Sequence, residues 1–357
     1  MKNYKLGEII NIFDSLRKPI SGFQRISSKG KYPYYGANGI IDYVNEPIFN
    51  GEYILFAEDG TVCTNDDKPI IFLTKSNEEF WVNNHAHIFQ AKNNICSNRY
   101  LYYNLTNTNI KHIITGAVQM KINQENLKSL EISIHEQEKQ QHIVNILGTI
   151  DDKIENNEKK IGKNKELMAR LYETISLNKE CVRIGNLISE IKERLDDRKA
   201  KAFSVINSGE LVEQDSYFDR RIHSKDMYKY KVIHKYDFAY NPSRINIGSI
   251  AMFEYNFGAV SPIYIAFTCD KKYSYYINEF IKTKQFNKEI CLRANGSVRQ
   301  SVNYDVFEEI QIPLPNENDL IEYNTKYSMI QESIDSLKNE NTKLNSLKNL
   351  YLKKFFG

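Results

Sequence analysis

Gln119 and Arg299 stand 180 residues apart, each three places after a glycine, in Gly116-Ala117-Val118-Gln119 and Gly296-Ser297-Val298-Arg299. A glutamine amide offers a donor and an acceptor side by side, the pattern that pairs with an adenine edge. An arginine offers a fork of donors that suits guanine or a phosphate. The same loop, with a hydrogen-bonding side chain of a different type in each copy, is what two readers of two different sequences would carry. Further groups of this chemistry precede each loop. The first set is Arg25, Lys29, Lys31, Tyr34, Tyr35 and Asn38, with Lys121 just after Gln119. The second is Arg194, Arg198, Lys199 and Lys201, then Arg220-Arg221, Arg244 and Arg293. Lysine and arginine neutralise phosphates, while Arg, Asn and Gln can also pair with base edges. Any one of these charges is as well explained as a solvated surface residue, so the expectation rests on the clusters.

Catalytic patterns are missing from the sequence. There is no Gly-x-x-x-x-Gly-Lys-Ser/Thr phosphate cradle and no glycine-rich turn opening a parallel sheet. Asn241-Pro242-Ser243-Arg244 begins like the Asn-Pro-Pro-aromatic motif of adenine methyltransferases. It lacks the second proline and the stacking aromatic, and reads as a turn after a strand. His85 and His87 lie two apart on an expected strand and share a face. No further ligands stand at suitable spacing, so a packed or surface pair is expected and no metal site. Glu58-Asp59 and Asp66-Asp67-Lys68 read as loop residues.

The elements that position these groups come in two copies. Leu130-Glu131-Ile132-Ser133-Ile134 falls on Ile310-Gln311-Ile312-Pro313-Leu314, and Leu6-Gly7-Glu8-Ile9 echoes Ile184-Gly185-Asn186-Leu187. Between the anchors, over roughly residues 8–110 and 188–290, the halves do not align. Two proline-free stretches then show apolar residues at alternating steps of three and four, a heptad seam. In the first, Ile143, Leu147, Ile150, Ile154, Asn157, Ile161, Asn164, Met168, Leu171 and Ile175 make the ladder. In the second it is Tyr327, Ile330, Ile334, Leu337, Asn341, Leu344, Lys348, Tyr351 and Phe355, with Leu347 placed to take over the packing at the weak Lys348 position. So narrow a stripe is not stable alone in water, so the two helices are expected to pair. Each would be roughly 60 Å long at 1.5 Å per residue. Asn157, Asn164 and Asn341 would set the register, or lie at an exposed edge of the seam.

The expected architecture is α+β. Two mixed α/β domains, 1–134 and 179–316, are each followed by a long helix, 135–178 and 317–357, and the helices form an antiparallel coiled coil with pseudo-twofold symmetry. Strands are expected at Tyr53–Phe56, Ile70–Leu73, His87–Phe89, Phe238–Tyr240, Ile250–Phe253 and Ile263–Phe267, and short helices at Asn98–Leu105 and Tyr275–Thr283. With 357 residues, each domain can bury its own core. The net charge of +3 neither demands nor excludes nucleic acid. The chain has 24 Tyr and 18 Phe but one Trp, so its tyrosines are expected on half-buried sheet faces. Five scattered cysteines and no long apolar run point to reduced thiols in a soluble, cytoplasmic protein.

Taken together, these features resemble one family, the DNA-specificity subunits of type I restriction-modification systems. The likeness is carried by Leu6-Gly7-Glu8-Ile9, Tyr34-Tyr35-Gly36-Ala37-Asn38-Gly39, Ile114-Thr115-Gly116-Ala117-Val118-Gln119 and Glu131-Ile132-Ser133-Ile134, then a long helix, then the whole order again with Ile312-Pro313-Leu314-Pro315. The first copy departs from the family's usual Pro-x-Pro before the helix, and the second lacks the Glu-Gln pair after its prolines. The resemblance implies two target recognition domains on a bipartite, interrupted duplex site and no catalysis in this chain. It implies two methyltransferase subunits carrying S-adenosylmethionine for adenine N6 methylation. Restriction subunits using ATP and Mg2+ would join where the system has them. A methylation-only or atypical system fits the same sequence, and a protein-binding scaffold on a coiled-coil stalk is the reading from a different class.

Overall fold

The computed structural model describes residues 1–116, 119–217, 227–293 and 301–357. The chain divides into two compact units, Met1–Asn157 with Lys338–Gly357, and Glu158–Leu337. Each unit takes one end of each long helix.

The first unit runs β1 (Lys2–Lys5), α1 (Leu6–Ile9), β2 (Ile10–Ile12), α2 (Gly22–Ser27), β3 (Lys29–Gly36), β4 (Gly39–Val44) and β5 (Phe49–Asn50). It continues with β6 (Ile54–Ala57), β7 (Ile71–Leu73), β8 (Glu79–Val82), β9 (Ala86–Ala91), α3 (Asn98–Thr106), α4 (Gln124–Ser129), β10 (Glu131–Ile134) and the start of α5 (Gln137–Ser176). The second unit has β11 (Cys181–Arg183), β12 (Ile188–Glu190), β13 (Ala202–Ile206), β14 (Glu210–Glu213), α6 (Gln214–Tyr217), β15 (Lys231–His234), β16 (Phe238–Tyr240) and β17 (Ile250–Met252). Then come β18 (Phe257–Val260), β19 (Ile265–Cys269), α7 (Lys271–Phe280), α8 (Lys284–Arg293), α9 (Tyr304–Phe307), β20 (Gln311–Pro313) and α10 (Glu317–Phe356).

Strand for strand, the two units share one topology. A sheet ordered β2-β9-β6-β7 in the first matches β12-β19-β16-β17 in the second, and β4-β3-β8-β5 matches β14-β13-β18-β15. Each unit also has a two-stranded pair, β1-β10 and β11-β20. Even the sense of pairing agrees: β3 runs parallel to β8, as β13 does to β18. The duplication therefore extends through the segments whose sequences do not align.

The anchors that do align have a steric reason. In both units the first residue of the echoed motif hydrogen-bonds to the residue before the last strand, Leu6 N to Leu130 O at 2.8 Å and Ile184 N to Ile310 O at 2.8 Å. The glycine that follows is pressed against the same place. A Cβ on Gly7 would lie 2.9 Å from Lys128 Cβ, and one on Gly185 would lie 2.6 Å from Glu308 Cβ. No larger side chain fits without moving backbone.

The core of the first unit lies between the sheet β2-β9-β6-β7 and α3, α4 and the ends of both long helices. Ile54, Phe56 and Phe89 meet Tyr100, Leu101, Leu127, Ile143, Leu147, Leu352 and Phe355 there. In the second unit Phe238, Tyr240 and Phe267 meet Tyr276, Ile277, Met168, Tyr172, Tyr323 and Tyr327. Each fully buried aromatic contributes about 2 to 3 kcal/mol. Many tyrosines expected on sheet faces sit on helices instead, fully buried. Their length spans the gap to a neighbouring element, and several of the hydroxyls find an acceptor there. Tyr103 donates to Asp151 at 2.8 Å, Tyr276 to the Pro313 carbonyl at 2.6 Å and Tyr327 to Glu279 at 2.9 Å.

The long helices pair along the expected seam, and they run antiparallel. In the first unit Lys348 meets Asp151 at 2.6 Å, and Asn157 donates to Glu340 and Asn341 at 2.7 and 2.9 Å. In the second, Asn164 donates to Ser333 at 3.2 Å. Residue numbers rise on one helix as they fall on the other. One seam expectation is corrected. Leu347 is 40% exposed and does not replace Lys348. The lysine itself holds the seam, its ammonium on Asp151 and within 6.0 Å of the rings of Tyr102 and Tyr103. An aliphatic stem with a paired charge fills a position where a leucine could fill only volume. No described helix is long and apolar enough to cross a membrane, and all five cysteines are free thiols.

Candidate nucleic-acid interface

The first glycine loop begins at Gly116, whose φ is +91°; a Cβ there would lie 2.1 Å from the Gln119 carbonyl oxygen. Only glycine permits that turn. Thr115 and Lys121 close the loop with reciprocal backbone hydrogen bonds of 2.8 and 2.7 Å, and Gly60 N donates to Met120 O at 3.1 Å. Ala117 and Val118 lie outside the described residues. Gln119 and Met120 are left exposed at the tip.

Beneath the loop is a charged network that sequence spacing did not reveal. His87, buried on β9, faces the Asp14 carboxylate with Nδ1 at 2.6 Å and the Ile122 carbonyl with Nε2 at 2.8 Å. Both partners are acceptors, so whichever ring nitrogen carries a proton has one to donate to. Arg17 reaches Glu58 at 2.7 Å, the Ala86 carbonyl at 2.7 Å and Asp14 at 3.6 Å. Lys121 closes on Glu58 at 3.6 Å, and Ile122 N donates to the Glu58 carbonyl at 2.8 Å. Burial alone would raise the Asp14 pKa. The hydrogen bond and charge of His87, the amide of Ile88 and the charge of Arg17 outweigh it and hold the carboxyl below its ordinary value. Asp14, Glu58 and His87 bring ligand-type atoms within 4.8 Å of one another, and the cation on both carboxylates is Arg17. Glu58, read from the sequence as a loop residue, thus belongs to the base that fixes the loop. The one cue was the pair His85 and His87 on one face, and both turn toward Glu58-Asp59: His85 meets Asp59 at 2.8 Å.

The structure sorts the first set of expected contact residues. Tyr34 and Tyr35 are core residues, 1% and 8% exposed. Tyr34 Oη accepts from Ile20 N at 3.2 Å, and Tyr35 Oη donates to Glu78 at 2.7 Å. Neither presents its ring to a partner: the β3–β4 pairing shifts register between them, and both are buried. Arg25 is spent on Asp42 at 3.2 Å and the Ile20 carbonyl at 3.1 Å. Lys29, Lys31 and Asn38 are exposed, as are Gln119 and Lys121. The exposed groups thus lie at the start of β3, at the β3–β4 turn and on the glycine loop.

Residues 1–164 match the family model described as type I restriction modification DNA specificity domain. A curated protein of Haemophilus influenzae, described as a putative type I restriction enzyme specificity subunit, is 37% identical over 145 residues. That stretch is 41% of this chain and 36% of that protein. The chain therefore spans about a third of the length of the curated relative it matches. Over its whole length, the fold is that of the type I restriction-modification S subunit from M. genitalium, with a TM-score of 0.58 at 15% identity and coverage of 100% and 96%. Residues 1–164 thus resemble a type I DNA specificity domain, and the whole chain shares its fold with an S subunit.

In the second half of the chain, Arg194 and Lys199 are exposed. Arg198 is held by Glu193 at 2.6 Å, the Leu195 carbonyl at 3.1 Å and the Arg194 carbonyl. Lys201 pairs with Glu213 at 2.9 Å. Arg293 is structural. It bonds Glu289 one helical turn back at 2.5 Å and the Glu309 carbonyl at 3.0 Å, tying α8 to the strand after it. Arg244 is exposed in the turn after β16. That turn contains Pro242, whose carbonyl accepts from Val302 N at 3.0 Å, as Glu58 does from Ile122 in the first half. So Arg244 lies in the turn that is bonded to the described segment after Ser301. The Asn241-Pro242-Ser243-Arg244 segment is a turn, as read from the sequence, with Asn241 Oδ1 accepting from Ser243 N at 3.0 Å. Arg220, Arg221 and Arg299 lie outside the described residues.

Proposed function

We propose that this chain is the non-catalytic DNA-reading subunit of a type I restriction-modification complex in the cytoplasm. Residues 1–134 and 179–316 act as target recognition domains, each docking on one half of an interrupted duplex site, and the paired helices space them. What carries this reading is one topology built twice with different exposed side chains on it: Gln119, Lys121, Lys29 and Lys31 on one copy, Arg194, Lys199 and Arg244 on the other. A frame that repeats while its outward chemistry changes is suited to two sequences read in one geometry.

The chemistry is selection by positioning. Phosphate contacts give affinity and salt dependence, and a few base-edge contacts in each domain choose the sequence. Linking the domains makes the second contact effectively intramolecular, so two short readings act as one long site. Half-sites about one helical turn apart, ~34 Å, fit such an arrangement. Two methyltransferase subunits bring S-adenosylmethionine and flip an adenine for N6 methylation. Restriction subunits add ATP- and Mg2+-dependent chemistry where the system has them. Asn157 with Asn341, and Asn164, act as register residues of the helix pair.

Methylome sequencing of cells expressing the chain with its methyltransferase tests the proposal. The expected result is N6-methyladenine in one interrupted, asymmetric motif. Methylation without sequence context, together with no enrichment from a randomised duplex library, overturns it.

A further inference from the structure

Helix α2 is built inside out. Its one half-buried side chain is the charged Arg25, which turns inward to Asp42 at 3.2 Å and lies 5.4 Å from the Tyr34 ring centroid. The two large apolar side chains, Phe23 and Ile26, point outward, 83% and 69% exposed. They stand three residues apart and so share one face. Fraying does not account for this, because the helix is pinned at several points. Ser21 and Gln24 cap it reciprocally at 3.2 and 2.8 Å, and Trp81 Nε1 donates to the Lys18 carbonyl at 2.6 Å just before it. A short helix held this firmly with its apolar face in water loses the burial that normally orients such a face.

The surroundings indicate what covers it. From Arg17 to Lys31 the chain has five basic residues and no acidic one. Arg17 and Arg25 are used internally, leaving Lys18 exposed before the helix and Lys29 and Lys31 exposed after it, Lys31 with its ammonium 5.0 Å from the Tyr32 ring. An apolar helix face flanked in the chain by exposed cations complements a surface with an apolar centre and an anionic rim, and duplex DNA is such a surface. Base faces and thymine methyls lie within the grooves, with phosphates along both edges.

We propose that Phe23 and Ile26 are the apolar DNA contact of the first half, set against a thymine methyl or an opened base step, with Lys18, Lys29 and Lys31 on the flanking phosphates. This inference rests on the DNA-reading function above. It adds a specificity-determining contact on an element away from the glycine loop, made by residue types that a search for polar readers passes over.

The test uses the complete complex with its methyltransferase subunits and a duplex carrying the motif found by methylome sequencing. Affinity is measured for wild type, Phe23→Ala, and Lys29→Ala with Lys31→Ala, at several salt concentrations; sedimentation reports assembly and circular dichroism the fold. Phe23→Ala is expected to weaken binding about tenfold or more with an unchanged salt slope, since an apolar contact releases no counterions. The double lysine variant is expected to lower the slope by about two. Unchanged affinity in Phe23→Ala, with wild type still selective, overturns this inference alone. Lost assembly with intact affinity in the complexes that do form overturns it too, and gives the patch to a methyltransferase contact. A wild-type complex without sequence preference removes the DNA-reading function and this contact with it.

Discussion

Phe56 and His87 sit opposite one another across β6 and β9 of the first half; at the same place across β16 and β19 of the second the pair is Tyr240 and Ile265. Around the first pair the chain has gathered charges: Asp14, Glu58, Arg17 and His87. Around the second it has gathered rings. Tyr240 stacks on Phe307 at 4.8 Å, and Phe307 contacts Phe267 at 5.2 Å and Phe286 at 6.1 Å. The residue 180 places before Phe307 is Leu127, also fully buried. Yet one backbone hydrogen bond recurs in both halves, from Ile122 to Glu58 and from Val302 to Pro242. The frame is thus set by backbone pairing and a few close approaches. The material beneath it can be ionic or aromatic, provided that volume is filled; the buried Tyr240 hydroxyl has no hydrogen-bond partner among the described residues. The two solutions differ in what they are sensitive to, and that difference can be measured.

The largest effect is expected from the aromatic side. Phe307→Ala should cost the second half about 4 kcal/mol, seen as early loss of amide protection in that half alone and independent of salt. Arg17→Met should cost the first half about 3 kcal/mol, because Asp14 and Glu58 keep their buried charge and lose its partner. If hydrogen exchange finds both halves equally affected by either change, the two bases are not independent and the comparison fails.

Acid should separate the halves next. The Asp14 pKa is held below its ordinary value of 3.8, so its contribution is complete above that value and lost as pH falls through the lower folded value. The first half should therefore weaken below about pH 4, while the aromatic base has no carboxylate at the matching positions. Asp14→Asn should flatten this acid limb. A limb of unchanged steepness in that variant would assign it to other carboxylates.

The smallest expected effect concerns the helix seam. Asn157 is fully buried and bonded to two partners, whereas Asn164 is half exposed and bonded to one. Asn157→Ala should cost about 1 to 2 kcal/mol and Asn164→Ala about 0.5 or less, by denaturant titration. Equal costs would mean that burial does not decide what a seam asparagine contributes.

Much of the frame was legible from local pattern. The strand expected at Phe238–Tyr240 is β16, and the helices expected from 135 and 317 are α5 and α10, because heptad spacing persists over many turns. Boundaries shifted where a short apolar run fits more than one register. Ile263–Phe267 proved to be Ile265–Cys269, with Ile263 exposed in the turn before the strand. The helix expected at Tyr275 starts at Lys271, capped by Asp270, whose carboxylate accepts from Lys272 N at 3.0 Å. The candidate contacts were less legible. Residue type alone does not separate Lys29, which is free, from Arg25 and Arg293, which hold the fold together, and it gave no reason to examine Phe23.

By itself the sequence determined the duplication, the two heptad helices, the two glycine motifs and the likeness to type I specificity subunits, since each is written in residues near one another or in a repeated order. Only the tertiary structure decided that the unaligned segments share one topology, that Asp14, Arg17, Glu58 and His87 meet under a loop, and which cations face solvent. Those facts depend on groups far apart in the chain, such as Asp14 and His87, 73 residues from one another, being brought within bonding distance. A core constrains volume and hydrogen-bond partners rather than residue names, so one fold could be kept while the sequence that fills it changed.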